Sequence, residues 1–301
     1  MVQEHRVGVV GATGFIGRNL LAALAAAGIP TRAIVRRPGT VRALPSEVEV
    51  VPGDLTAPGL LPQALAGCTA VVNLVGIIRG NVQDFETVHR EGTRNLADAA
   101  RAAGVGRLVY VSAQGADPAS ANPYFRTKAE AEAAVVASGL PHLILRPCLV
   151  LGPGDGFSTQ LAALLRRAPV VPVIGTGRYP LRPVAVDDVV AALVQGALGR
   201  VEGCYVLAGP EEVSYETLLR RAMQAMGIRK SLVHLPLGVA QPTVRAMELC
   251  SDHPPLTSLQ LSMLLEGNIG DPDPAVAAFG LRLTPLDTAL RRAMGKKETP
   301  T

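Results

Sequence analysis

Short apolar runs alternate with amphipathic stretches through the first 112 residues, a pattern typical of strands that alternate with helices. The apolar runs predict strands at 7–10, 31–35, 48–51, 70–76 and 107–112. The run at 70–76 is almost wholly apolar, as expected for a strand that is buried on both faces of a sheet. Short strands in regular alternation with helices predict an α/β fold with a doubly wound parallel sheet.

Three glycines at three-residue spacing lie between the first predicted strand and the first predicted helix. Gly11 allows a sharp turn out of the strand, Gly14 leaves room for a pyrophosphate against the backbone, and Gly17 lets the helix pack closely. The free N–H groups at the start of a helix favour phosphate binding. We therefore expect a dinucleotide site here, or alternatively a purely structural turn. Its residues are Gly11, Thr13, Gly14, Phe15, Ile16 and Gly17.

The second predicted strand ends on two arginines, at the place where NAD-binding sites usually carry an acid. These residues, Arg36 and Arg37, follow Gly17 by about the 20 residues that separate the two features in such sites. Because a guanidinium pairs well with a 2′-phosphate, they favour NADP(H), with NAD(H) as the alternative cofactor. Two surface arginines at the start of a loop would give the same sequence, so that interpretation stays open.

Two further segments are expected at the cofactor because they end predicted strands, and ligands of parallel sheets bind beyond the carboxyl ends of the strands. The residues are Asp54 and Leu55 after the third strand, and Leu74, Val75 and Gly76 at the end of the fourth. Asp54 is expected either to bond the adenine amino group or to cap a helix at 60–65.

Tyr124 and Lys128 are the candidate catalytic pair. Asn122 followed by Pro123 predicts the start of a helix, and Gly139 predicts its end. Residues four apart lie on one face of a helix, so the ammonium can approach the phenol and lower its pKa. The resulting tyrosinate would take a proton from a substrate hydroxyl, and the lysine can also reach the nicotinamide ribose. The alternative is an ordinary pair on a helix surface.

Isolated histidines and cysteines give no sign of a metal site. Cys68, Cys148, Cys204 and Cys250 are far apart, with no Cys-x-x-Cys pair and no histidine at ligand spacing. Cys148 is expected to be a small apolar filler and not a nucleophile. His89 lies in the predicted helix at 84–103, among charged residues, and is expected to be solvated.

The charge pattern argues against nucleic acid as a partner. The formal charge is +4, but the basic residues are scattered along the chain and aromatic residues make only 3% of it. No apolar run approaches the roughly 18 residues of a membrane helix, and no secretory signal precedes the first strand. We therefore expect a cytoplasmic protein; a peripheral contact with a membrane and the oligomeric state are left open.

Several segments resemble the atypical and extended short-chain dehydrogenase/reductases. They are the Gly-x-x-Gly-x-x-Gly turn, Tyr124 with Lys128, and residues 145–155. Residues 111–116, 157–161 and 182–189 are similar, more narrowly, to the group that contains the nucleotide-binding accessory subunit of respiratory complex I and its bacterial NAD(P)-binding relatives. The resemblance implies a Rossmann core and places Pro147 near the nicotinamide.

One position departs from the pattern of this family. Most of its active members carry a serine or threonine where this chain has Ala113, to hold the substrate oxygen beside the tyrosine. Ser112, one step earlier, is the remaining candidate for that role. Successive residues near the end of a strand point to opposite faces, however, which argues against the replacement.

The expected domain division follows the same resemblance. Residues 1–155 form the dinucleotide-binding core, completed by 181–206, which includes a helix at 184–198 and a late strand near 206–207. Residues 156–180 and 207–301 form a smaller C-terminal lobe for substrate or partner, and the part beyond 230 carries no chemical signature.

Two classes of function remain. The first is an oxidoreductase or epimerase-like protein that uses Tyr124 and Lys128 for acid–base and hydride chemistry on a carbonyl, quinone-like or nucleotide-linked small molecule. The second is a non-catalytic NADP(H)-binding accessory or sensor protein of a larger, respiratory-type complex. The intact tyrosine and lysine favour the first, and Ala113 favours the second.

Overall fold

The computed structural model describes residues 5–41, 44–251 and 254–295. Its strands are β1 (Val7–Val10), β2 (Thr31–Val35), β3 (Glu49–Pro52), β4 (Ala70–Asn73), β5 (Leu108–Val111), β6 (His142–Pro147), β7 (Val150–Leu151), β8 (Val171–Ile174), β9 (Pro180–Leu181), β10 (Val184–Ala185), β11 (Gly203–Leu207), β12 (Val213–Ser214) and β13 (Leu232–Leu235). Its α-helices are α1 (Phe15–Ala26), α2 (Leu61–Leu65), α3 (Val82–Phe85), α4 (Gly92–Ala102), α5 (Pro123–Ala137), α6 (Gly156–Arg167), α7 (Val186–Ala197), α8 (Tyr215–Ala225), α9 (Leu237–Cys250), α10 (Ser258–Glu266), α11 (Asp273–Phe279) and α12 (Leu286–Met294). Short 3-10 helices lie at Pro38–Thr40 and Pro58–Leu60, and a π-helical segment lies at Glu86–Glu91.

Seven strands form one sheet in the order β3, β2, β1, β4, β5, β6 and β11. Every neighbouring pair in it is parallel. The valine- and leucine-rich strands β1, β4 and β5 lie at the centre, and all their residues are buried. The prediction of a doubly wound parallel sheet is confirmed, and the order of its first six strands is that of the Rossmann fold.

The order of the strands creates a crevice between β1 and β4. The chain moves outward from β1 to β3, then returns across the sheet to pair β4 with the other side of β1. Val10 and Asn73 are partners in the register of this pair, so the loops that follow them leave the sheet side by side. Loops that diverge at such a switch point leave room for a ligand at the carboxyl ends of the strands.

The predicted element boundaries differ from the observed ones where side chains take over backbone hydrogen bonds. β4 ends at Asn73, not at residue 76, because the Asn73 side chain accepts the N–H of Val75 at 3.0 Å. The helix predicted at 84–103 begins at Val82, since Asn81 and Asp84 form a capping box. The late strand near 206–207 is confirmed as β11.

The helix that carries the candidate catalytic pair is capped as predicted. The side chain of Asn122 accepts the N–H of Tyr124 at 3.0 Å, and Pro123 is the first helical residue of α5. Gly139 follows the helix with a φ of +71°, a conformation that costs glycine little. The cap fixes where α5 begins and therefore where the side chains of its first two turns point.

The chain folds into two compact units, each with its own hydrophobic core. The first unit runs as far as Pro147 and includes Asp187–Leu207 and Asp273–Arg282. The second comprises Cys148–Val186, Ala208–Pro272 and the residues from Leu283 on. Relative to the expected division, residues 148–155 and 181–186 lie in the second unit, and α11 lies in the first because it packs against β11.

No helix among the described residues combines the length and the apolar character that crossing a bilayer requires.

Gly17→Ala tests the packing of α1 against the glycine turn. A methyl group at residue 17 would overlap the carbonyl oxygen of Gly11 and lie 2.7 Å from that of Ala12. Since both are backbone atoms, the strain cannot be relieved by a side-chain rotation, and we expect a loss of about 1–3 kcal/mol in the free energy of unfolding. Urea unfolding followed by circular dichroism measures it.

Gly14→Ala is the matched control, because a methyl group there meets only Gly11 O at 3.2 Å and φ is −72°. A loss as large in Gly14→Ala as in Gly17→Ala would contradict the packing explanation.

Candidate cofactor and catalytic site

The glycine turn is in direct contact with the loop after β4. Gly11 has a φ of +79°, and a methyl group on it would lie 2.8 Å from the carbonyl carbon of Leu74 and 3.0 Å from the N of Val75. Only glycine therefore fits both the conformation and the space at this position. The two predicted cofactor segments, 11–17 and 74–76, meet at the switch point of the sheet.

The first turn of α1 is suited to an anion. Gly14 is the N-cap residue and has no side chain to accept hydrogen bonds from the helix, and no acid lies in the first turn. Thr13 and Gly14 are exposed, while Phe15 and Ile16 are partly exposed. The N–H groups of this turn are left for a ligand, as phosphate binding at a helix start requires. The glycine turn thus fits the pyrophosphate of a dinucleotide.

Arg36 and Arg37 lie directly beyond β2, and both are exposed. The guanidinium of Arg36 makes no hydrogen bond or ion pair within the described part of the chain. Arg37 does have an interaction partner. Arg36 is therefore the side chain that can turn to a ligand without giving up a contact.

Asp54 closes a turn and does not cap a helix. Its Oδ1 accepts the N–H of Thr56 at 2.9 Å and the hydroxyl of Thr56 at 2.8 Å. α2 begins at Leu61 and has no side-chain cap, so the helix-capping interpretation of Asp54 is wrong. Leu55 is buried in the core, and its carbonyl accepts a hydrogen bond from Asn95 at 2.7 Å, which fixes the backbone after β3.

Lys128 is a buried cation at the centre of the site. Its side chain is 3% exposed, and Nζ donates to the carbonyl oxygen of Val111 at 2.7 Å. Nζ also lies 4.5 Å from the centroid of the Tyr110 ring and 3.7 Å from where a Cβ of Gly76 would be. The lysine thus brings α5, the end of β5 and the loop after β4 to one point. Burial lowers the pKa of Lys128 to about 7, although the nearby Glu132 carboxylate opposes the shift.

Tyr124 lies in an aromatic cluster one turn before Lys128. Its ring contacts the rings of Phe85, His89 and Phe125, with centroids 5.3–6.2 Å apart. Burial raises the pKa of Tyr124 to about 12. The expectation that Lys128 lowers the pKa of this phenol is wrong, because desolvation dominates and the ammonium is bonded to Val111 O. Tyr124 is a protonated donor at neutral pH.

Ser112 directly follows the residue that accepts the hydrogen bond from Lys128. It is 4% exposed, its N–H donates to Leu145 O at 2.7 Å, and its Oγ has no hydrogen-bond partner in the described structure. Ala113 is also buried. A buried hydroxyl without a partner is costly, which marks Ser112 as a group with unused hydrogen-bonding capacity beside the site.

His89 is not solvated, as its charged neighbours suggested, but completely buried. It lies four residues after Phe85, the apolar residue on the inner face of the same helix, and this spacing places it on that inner face. Nε2 accepts the N–H of Ile77 at 3.0 Å, and Nδ1 bonds Oγ1 of Thr127 at 2.9 Å. The spacing from Phe85 was the signal in the sequence that could have revealed this burial.

Two further predicted residues, Pro147 and Cys148, lie at and just after the end of β6. The carbonyl oxygen of Pro147 accepts the N–H of Gln114 at 3.0 Å, which joins the ends of β5 and β6. Cys148 is buried, and burial raises the pKa of its thiol to about 12, so it is the inert filler that was expected. No group of three histidine, cysteine or acidic residues in the described chain is placed to hold a metal.

Comparisons with known proteins show which family the chain belongs to. The sequence model of a family described as NAD(P)H-binding matches residues 11–166, more than half of the chain. A ceramide reductase of Caulobacter vibrioides is 37% identical over 235 residues, which cover 76% of this chain and 73% of the relative. NADH dehydrogenase (ubiquinone) 1 alpha subcomplex subunit 9 of Arabidopsis thaliana, a mitochondrial protein, is 27% identical over 95% of this chain and 75% of its own.

Among solved structures, MoeE5 in complex with UDP-glucuronic acid and NAD has a TM-score of 0.75 at 26% identity. The match covers 96% of this chain and 97% of that one. The chain is thus similar over nearly its whole length to a protein whose structure contains a bound dinucleotide.

The stability of the chain should depend on His89 in acid. Burial and the charge of Lys128 lower the pKa of His89 from 6.5 to about 3. Between these values the unfolded chain binds a proton that the folded chain does not, so stability falls as the pH falls, by up to about 1.4 kcal/mol per pH unit. We expect the native protein to lose about 1 kcal/mol more than His89→Gln between pH 5.5 and 4.5, measured by urea unfolding. Equal losses of unfolding free energy in the native protein and in His89→Gln would contradict a buried neutral imidazole.

Proposed function

The chain belongs to the NAD(P)H-binding family, as an extended short-chain dehydrogenase/reductase, and on this premise we propose that it is an NADPH-dependent reductase of ketones. One observation carries the proposal. Lys128, one helical turn from Tyr124, lies against Gly76 in the loop that contacts the glycine turn. These contacts support a single site to which the phenol, the ammonium and the glycine turn would all contribute.

The residues have separable tasks in this proposal. Bound NADPH would supply the hydride. Tyr124, whose pKa is about 12, holds the proton that the carbonyl oxygen must receive. Lys128, whose pKa is about 7, gains charge when an anionic group approaches, and its position beside Gly76 suits it to orient the nicotinamide ribose. Ser112 Oγ has no partner among the described residues but is buried, so we assign it no contact with the substrate oxygen in place of the side chain that Ala113 lacks.

The substrate we propose is the ketone of an apolar, lipid-like molecule. The relative with 37% identity is named for a reaction on ceramide, which is a lipid. The second unit, the proposed substrate lobe, exposes apolar side chains on α9: Val239 at 54%, Met247 at 39% and Leu249 at 89%. Exposed apolar side chains of this kind suit a long alkyl chain better than a sugar.

A second candidate function is a non-catalytic NADP(H)-binding protein within a larger complex. Two observations favour it: Ala113 stands at the position of the usual hydroxyl residue, and the Arabidopsis relative that covers 95% of this chain is a subunit of NADH dehydrogenase. Such a protein would bind the cofactor without turning it over.

NADPH consumption in the presence of a long-chain 3-oxo lipid, a quinone or a UDP-sugar tests these alternatives. We expect oxidation with the lipid ketone, and a loss of about 100-fold or more in kcat for Tyr124→Phe with unchanged NADPH binding. Tyr205→Phe, which removes a phenol from β11, is the control and should retain full activity. Tight NADPH binding without turnover of any of the three compounds would contradict the reductase proposal and support the non-catalytic accessory protein.

Titration of both cofactors tests the preference for NADP(H). We propose that Arg36 pairs with the 2′-phosphate, so Arg36→Asp should weaken NADPH binding about 10–100-fold while NADH binding changes little, since a hydrogen bond between charged groups contributes about 1.5–3 kcal/mol. Arg101→Asp, at the exposed end of α4, makes the same change in net charge and is the control. An unchanged ratio of the two affinities in Arg36→Asp would refute the assignment.

A further inference from the structure

His89 joins two parts of the site that are far apart in sequence. Its Nε2 accepts the backbone N–H of Ile77, in the loop after β4, and the ring nitrogen must therefore be unprotonated on that side. The hydrogen of the neutral ring is then on Nδ1, which donates to Oγ1 of Thr127. Thr127 in turn donates to the carbonyl oxygen of Pro123, in the first turn of α5. A continuous chain of hydrogen bonds therefore runs from the loop after β4 to the first turn of α5.

The backbone around His89 is itself unusual. Residues Glu86–Glu91 form a π-helical segment between α3 and α4. A π-turn holds one more residue than an α-turn, which changes the direction of the side chains within it, and such segments occur often at functional sites. Here the segment carries the one side chain of the helix that reaches both Ile77 and Thr127.

Aromatic packing holds the imidazole in place but leaves it away from any ligand. The ring lies 5.6 Å from Phe85 and 5.6 Å from Tyr124, edge-on to the tyrosine. Its exposure is 0%, so it cannot touch a cofactor or substrate. Its Nε2 lies 3.6 Å from where a Cβ of Gly76 would be, directly behind the loop at which Lys128 arrives from α5.

We infer that His89 is a positioning residue, which fixes the Gly76–Ile77 backbone relative to Tyr124 and Lys128 so that the loop and α5 present one cofactor surface. The inference rests on the proposed function. The hydrogen bond to Ile77 sets the position of the loop, and the bond to Thr127 sets the plane of the ring.

Three substitutions at residue 89 separate the two hydrogen bonds from the packing. Phe keeps a ring between Phe85 and Tyr124 but removes both bonds. Gln places an amide oxygen where Nε2 lies and can keep the bond to Ile77, whereas Asn places its amide near Nδ1 and can keep only the bond to Thr127. Phe85→Leu alters the packing of the same cluster without removing either bond, and it is the control.

For each variant we would measure the Kd for NADPH and the fluorescence emission of bound NADPH. Urea unfolding would give the stability of each variant. We expect about 10-fold weaker binding and a shifted nicotinamide emission in His89→Phe and His89→Asn. His89→Gln should keep the Kd for NADPH within about threefold of the native value and leave the emission unshifted. Phe85→Leu should lower the free energy of unfolding and leave the Kd and the emission unchanged. Should His89→Phe not fold, the difference between Gln and Asn decides the question.

Two outcomes overturn the inference: affinity and emission that follow stability across all four variants, or equal effects of Gln and Asn. Both differ from failure of the proposed function, in which the native chain itself binds no NADPH.

Discussion

Burial of the Lys128 ammonium is the constraint on which the rest of the site depends. Removing an ammonium from water costs several kcal/mol, and the cost is reduced only by well-placed partners. The Val111 carbonyl and the face of the Tyr110 ring are those partners, and both come from β5. A charge-assisted hydrogen bond of about 1.5–3 kcal/mol and a cation–π contact of up to about 2 kcal/mol recover much of the cost. These two contacts fix the position of α5 relative to β5.

A glycine is required where the loop after β4 meets the glycine turn. Gly11 has a φ of +79° and lets the turn come within contact of Leu74 and Val75. A side chain at residue 11 would push this loop away from the turn. At Gly76, in contrast, a Cβ would lie at ordinary contact distance from His89 and Lys128. The parallel strand order brings the loops to one edge, and the absence of a Cβ at Gly11 allows them to touch.

The sequence predicts the framework of this site well and its electrostatics poorly. The strands, the parallel sheet and the Asn122 cap follow from apolar runs and local capping chemistry, which act over a few residues. The hydrogen bonds of His89 to Ile77 and Thr127, and the turn that Asp54 makes with Thr56, depend on individual contacts that no periodicity records. The raised pKa of Tyr124 depends on its burial in the folded chain. The charged neighbours of His89 in sequence gave the wrong expectation because Glu86, Arg90 and Glu91 keep part of their side chains exposed while His89 is buried. No pattern in the sequence indicates that α11 packs against β11 and so belongs to the first unit.

The most direct test of the account is a crystal structure of the native chain grown with NADPH. We expect the pyrophosphate at the N–H groups of residues 15–17 and the nicotinamide ribose within hydrogen-bonding distance of Lys128 Nζ, with the Ile77–His89 bond intact. Cofactor bound elsewhere on the chain, or bound at the glycine turn with its nicotinamide ribose out of reach of Lys128, would contradict it.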